Sequence, residues 1–182
     1  MAFSRISLIV AACAAAYLGM FWLNQLVFSS SGFSEGVDWI FLPSGVRLAC
    51  VLVFLHWGAL GVALATTAIS WHLQVDGNFL TAAVTGAISG FAPWVAHNLY
   101  LRMTGIGRDL AQLSSATLLG MAALFAVITA SFHQVWYWVR GMSQDVLQSL
   151  AVMALGDFVG SLVVLYLLKL GLVALMQWRP SR

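Results

Sequence analysis

Residues 43–73 read PSGVRLACVLVFLHWGALGVALATTAISWHL. How this run divides decides the fold. It is longer than the ~20 residues that span a bilayer as a helix, yet too short for two full spans. The His56-Trp57-Gly58 triplet interrupts it. We read two short helices over 43–57 and 58–73, folded as a tight hairpin whose first arm can be partly re-entrant. One long tilted helix is the alternative, and it would lower the number of spans by one.

Four further apolar runs flank this stretch, at 6–28, 79–100, 113–138 and 147–176. Each has the length of a spanning helix. The expected fold is therefore all-α: a six-helix transmembrane bundle forming a single polytopic domain over residues 1–182. Composition agrees. The chain is 62% hydrophobic and 8% charged, with a mean hydropathy of +0.93. So few polar side chains cannot cover the surface of a soluble fold. The first run exceeds the ~7–15 apolar residues of a signal peptide, so it reads as a retained helix. No long polar segment suggests a separate soluble output domain.

Charge placement gives an orientation. Arg5, Arg102, Arg108, Arg179 and Arg182 fall on one side with Lys169 nearby, whereas Glu35, Asp38, Asp76, Arg140 and Asp145 fall on the other. The positive-inside rule puts both termini in the cytoplasm, in a bacterial inner membrane. Tryptophans favour the headgroup level. Trp39, Trp71, Trp136 and Trp138 then mark outer helix ends, and Trp57 and Trp178 inner ones.

Several function classes are excluded by pattern. A net charge of +2 from eight basic residues gives no basis for binding nucleic acid. Cys13 and Cys50 lie apart in apolar runs, and His56, His72, His97 and His133 are scattered over helix ends, so neither a metal nor another cofactor is expected. His97 reads as an interfacial cap near a kink at Pro93. No hydrolase elbow, zinc-protease or phosphate-loop motif occurs, and the chain is not expected to be an enzyme.

Two charges stand inside the apolar runs, Arg47 and Asp157. An ionisable residue at the bilayer centre costs about 2.5–3.5 kcal/mol on insertion scales, so it normally faces the protein interior with a partner. Asp157 lies roughly ten residues into the last helix, about 15 Å deep at the helical rise. It is the natural partner for Arg47. Two readings stay open: a clamp between helices, or a polar pocket in the outer half, with Arg47 holding an anion or carbonyl and Asp157 a cation, amine or proton. Pro43-Ser44-Gly45 opens the second helix. Ser44 either caps it or helps its N-terminus meet an anionic ligand beside Arg47. His133, one turn from Thr129, is a further pocket candidate, although an interfacial histidine is the plainer reading.

Small residues at intervals of four mark helix-packing faces: Ala11, Ala15 and Gly19, then Gly86 and Gly90, then Gly156 and Gly160. Packing within the chain is the expected use. The alanine stripe can alternatively dock a partner subunit.

The stretch Trp39-Ile-Phe-Leu-Pro43-Ser44-Gly45-Val-Arg-Leu-Ala and the stretch Leu155-Gly156-Asp157-Phe158-Val159-Gly160 together resemble the first class of bacterial membrane-associated sensor domains. That family carries a Trp/Pro/Ser-Gly segment opening an early helix and a Gly-Asp-x-x-Gly segment in the last. The resemblance implies that the two segments face each other. It also implies a sensory role exerted through a partner protein. Family members have more helices, and their tryptophan sits nearer the proline. A second likeness is architectural: six helices with an alanine stripe in the first are similar to the substrate-capture subunits of energy-coupling vitamin importers.

The expected activity is thus a non-enzymatic membrane module with a small-ligand or sensory pocket, working with a membrane protein partner or as a homo-oligomer. A solute-capture subunit and a structural accessory subunit of a larger membrane complex are the alternatives.

Overall fold

In the computed structural model, residues 2–34, 36–73, 78–105, 114–143 and 145–177 are described. Helix α1 spans Ala2–Phe28. A 3-10 turn at Ser29–Ser31 leads to a two-stranded antiparallel hairpin, β1 (Gly32–Ser34) and β2 (Val37–Asp38). Then follow α2 (Pro43–Leu73), α3 (Phe79–Thr104), α4 (Ser115–Val139) and α5 (Val146–Gln177). All five helices are long and apolar enough to cross a membrane. Of the charges and rings used for orientation, Glu35, Asp76, Arg108, Trp178, Arg179 and Arg182 lie outside the described residues.

Among the described residues five long helices are counted where six were expected, and 43–73 enters that count once although it is two helical arms joined without a loop, as the expected hairpin would be. That segment is not straight. Leu55 adopts φ 51° and ψ −129°, a non-helical conformation in its middle. A Cβ on Gly58 would collide with the carbonyl of Cys50, although eight residues of straight helix span about 12 Å. Val46 and Val62 share one buried cluster with Cys13, Tyr17 and Cys50, whereas sixteen residues of straight helix would separate them by about 24 Å. The chain therefore doubles back at Leu55, and its arms, 43–54 and 56–73, pack side by side. They measure about 18 and 27 Å at the helical rise.

Local chemistry sets the other ends. Asn78 accepts hydrogen bonds from the Leu80 and Thr81 amides and so caps α3. Gly105, at φ 67°, ends it with a bond to the Leu101 carbonyl. The Ser114 hydroxyl accepts from the Thr117 amide and starts α4.

The expected packing faces divide. Gly86 meets Ala63 and Thr67, and Gly90 meets Ala59 and Ala63, so a Cβ at either position would drive α3 off α2. Gly156 and Gly160 lie against the Asp38 and Phe41 carbonyls. The α1 stripe differs. Ala11, Ala15 and Gly19 are exposed, and nothing stands within 4 Å of a Cβ on Gly19. This corrects their expected use as intramolecular packing residues. The buried face of α1 is instead Cys13, Tyr17, Phe21 and Asn24. The physical reason is polar: Tyr17 and Asn24 need partners that lipid cannot supply, and those partners lie on α2 and just before it.

The non-helical run 37–42 enters the bundle ahead of α2. Val37 is buried with Ala130, Val152 and Met153. The Phe41 amide donates to the Gly156 carbonyl at 3.3 Å, and the Leu42 amide to Asn24 Oδ1 at 2.9 Å. Gly160, which touches Phe41, stands about 21 Å along α5 from its start. Helix α2 therefore begins deep in the bundle.

Leu55 occupies a backbone region that costs a side chain ~1–3 kcal/mol. Leu55→Gly is expected to hold or raise the thermal midpoint in detergent. Gly58→Val should destabilise by about 2 kcal/mol, within the usual range for overpacking, and Gly19→Val should be neutral. Circular-dichroism melts of the three variants check this.

A buried charge pair beside a polar cavity

Arg47 sits one turn into α2, and Asp157 in the middle of α5. They are 3% and 1% exposed. Arg47 Nη1 lies 3.8 Å from Asp157 Oδ2, an ion pair too long for a hydrogen bond. Nη2 donates to the Tyr17 hydroxyl at 3.1 Å. The guanidinium also stands over the rings of Phe41 and Tyr17, at 4.9 and 5.6 Å from their centroids. Arg47 Nε and Nη1 and both carboxylate oxygens of Asp157 have no hydrogen-bond partner among the described residues. A buried ion pair repays its desolvation only when further hydrogen bonds satisfy it. Here those bonds are missing.

The missing bonds face a cavity of about 250 Å³. Its wall includes Arg47, Asp157, Thr66, Thr85, Ser89 and His133 on the polar side. Tyr17, Phe21, Phe41 and Tyr137 contribute aromatic surface. The oxygens of Thr66 and Thr85 are likewise buried without a partner. Asp38 also lines the cavity, and burial pushes its carboxyl above the usual range.

His133 is 1% exposed and lines the cavity. Its Nδ1 lies 3.0 Å from the Thr129 carbonyl. A carbonyl only accepts, so Nδ1 donates there. Nε2 lies 3.2 Å from the Ser89 hydroxyl, and the Thr85 backbone is a further hydrogen-bond partner of the ring. His97 is also buried, at 4%.

Ser44 is not part of the cavity wall. Its hydroxyl lies 2.7 Å from the carbonyls of both Phe41 and Asp157, which share its single proton. It accepts from Ser161 at 3.3 Å. The Ser44 and Gly45 amides are taken by the Phe41 and Leu42 carbonyls. Those two amides are not open to an anion, and Ser44 lies outside the cavity lining in which a ligand role was expected of it. The residue is a rivet between α2 and α5.

The structure thus brings Arg47, Asp157 and His133 to one cavity and places Ser44 behind it. Tyr17, Thr66, Thr85 and Ser89 are additions that the sequence reading missed. Their one signal was a lone polar side chain in an apolar run, which is too common to single out.

No family model matches the chain, and no curated protein or solved structure is similar enough to match.

Removing one partner of a buried pair strands the other and costs about 3–5 kcal/mol. Arg47→Leu and Asp157→Leu should each lose stability on that scale, and the double variant should lose less than either. Unfolding of all four proteins in one detergent measures the coupling. Ser44→Ala should cost about 1–2 kcal/mol through its stranded partners.

Proposed function

We propose that this chain is a non-enzymatic integral membrane module that holds a small polar molecule in the Arg47–Asp157 cavity and acts through a partner protein. One observation carries the reading. Four polar atoms of two buried charges lack hydrogen-bond partners and line a cavity of ligand size. Pockets of this kind, apolar with a few convergent polar groups, are where small molecules bind. The broken helix and the non-helical entry supply such a site in the manner of membrane carriers, whose discontinuous helices place ligands at depth.

The membrane placement belongs to the same proposal: a bacterial cytoplasmic membrane, both termini inside, the cavity in the outer half. Exposed Arg5 and Arg102 fit the inner side. The first arm of α2, about 18 Å, is shorter than the ~30 Å hydrocarbon core and is re-entrant, while the second arm of about 27 Å returns to the outer side.

A second reading, a substrate-capture subunit of a small-solute importer, is favoured by the exposed Ala11, Ala15 and Gly19 stripe, which offers a partner helix a close approach. The resemblance to sensor domains supports the first reading through the contact between the Pro-Ser-Gly and Gly-Asp segments.

Two measurements test this. For the orientation, Arg140 and Thr104 are exposed at opposite ends of the bundle, and the native Cys13 and Cys50 are buried. In intact cells a membrane-impermeant maleimide should label Arg140→Cys and spare Thr104→Cys. For the pocket, a broad panel of small metabolites should contain at least one that raises the melting temperature of the parent and not of the Arg47→Leu/Asp157→Leu double variant. A panel with no such compound leaves the pair as a clamp and sinks the pocket.

A further inference from the structure

The polar atoms around the cavity restrict the chemistry of what fills it. Resting on the pocket reading above, we infer that the ligand is a small α-amino-acid-type zwitterion with an apolar side chain, its carboxylate on Arg47 and its ammonium on Asp157.

Charge balance comes first. Arg47 and Asp157 already neutralise each other at 3.8 Å, both within the protein. A ligand of net charge would leave one buried charge without compensation, which the low dielectric penalises heavily. The occupant is therefore net neutral. His133 does not enter this count: its ring is engaged within the protein by Thr129, Ser89 and the Thr85 backbone. Asp38 is only partly buried, so its carboxyl does not need a ligand charge for compensation.

Hydrogen-bond demand comes second. Arg47 Nε and Nη1 are donors in need of acceptors, and Asp157 Oδ1 and Oδ2 are acceptors in need of donors. A molecule with only acceptors would leave the carboxylate orphaned. One with only donors would orphan the guanidinium. Guanidinium and carboxylate are neighbours, so the ligand's complementary groups must also be neighbours. An α-amino acid carries both on one carbon. A zwitterion with its charges at opposite ends of a long chain would have to fold on itself. The hydroxyls of Thr66 and Thr85, from α2 and α3, are buried and unpartnered on the same wall and can serve either group.

Size and wall come third. A volume of 250 Å³ equals about eight waters at their liquid share of ~30 Å³ each. That suits a single amino acid better than a peptide. Phe21, Ile69, Leu73, Met142 and Met153 outnumber the neutral polar Gln25 and Ser70 in the rest of the lining, which favours an apolar side chain over a charged one.

The test uses the purified full chain in detergent and a series built on one carbon skeleton: L-leucine, 4-methylpentanoate and isopentylamine, with the other aliphatic amino acids alongside. Isothermal titration and thermal shift are read on the parent protein, so the outcome does not depend on a variant folding. The zwitterions should bind at least ten-fold more tightly than the carboxylate or the amine. Asp157→Asn, where it remains folded, should erase that preference. If either single-charge analogue binds as well as leucine, the zwitterion inference is overturned. It is also overturned if a compound of another class from the broad panel shifts the parent while no amino acid does, and then the pocket still stands. If nothing in either set binds, the inference and the pocket reading fall together.

Discussion

Hydrocarbon offers no hydrogen bonds, so backbone that leaves the helical state inside a membrane must find every partner within the protein. Within the run 37–42, Phe41 and Leu42 do this. Asn24 takes the Leu42 amide, the Gly156 carbonyl takes the Phe41 amide, and the Phe41 carbonyl receives the Ser44 hydroxyl. Gly156 and Gly160 have no side chain where the run passes. With those demands met, α2 starts within the bundle instead of at its rim. Arg47, one turn on, reaches Asp157 only because of that start.

The charge pair and its surroundings combine two kinds of contact. Ser44 joins α2 to α5 through a 2.7 Å contact with the Asp157 carbonyl and a longer one, 3.3 Å, from Ser161. Arg47 and Asp157 join the same helices through a longer contact with unfilled hydrogen-bonding capacity. Serines that hold the helices together leave the charged pair less needed for that task. This division favours a site over a clamp, since a clamp would be expected to close its own hydrogen bonds.

Much of the architecture was readable in hydropathy. The runs at 6–28, 79–100, 113–138 and 147–176 match α1, α3, α4 and α5 to within a few residues. The reversal in α2 was expected as a hairpin at His56-Trp57-Gly58; its break falls at Leu55, which carries no signature of a positive φ. The pairing of Arg47 with Asp157 was legible from cost alone: two charges in apolar runs need each other. The orientation of the α1 stripe was not legible. Small residues at intervals of four suit a packed face and a lipid-facing one equally, and the choice depended on Tyr17 and Asn24 on the opposite side. Ser44 carried a similar ambiguity, since a hydroxyl at a helix start looks the same whether it meets a ligand or two carbonyls.

The distance in sequence between Arg47 and Asp157 imposes an order on biogenesis. At ~5–20 residues per second, α5 is synthesised on the order of ten seconds after Arg47. During that interval the guanidinium has no carboxylate to meet. Tyr17, made earlier, and Phe41, made just before, are the groups that also contact it in the finished fold. Of the contacts that Arg47 makes in the finished fold, these are the ones whose residues exist before α5 has been synthesised.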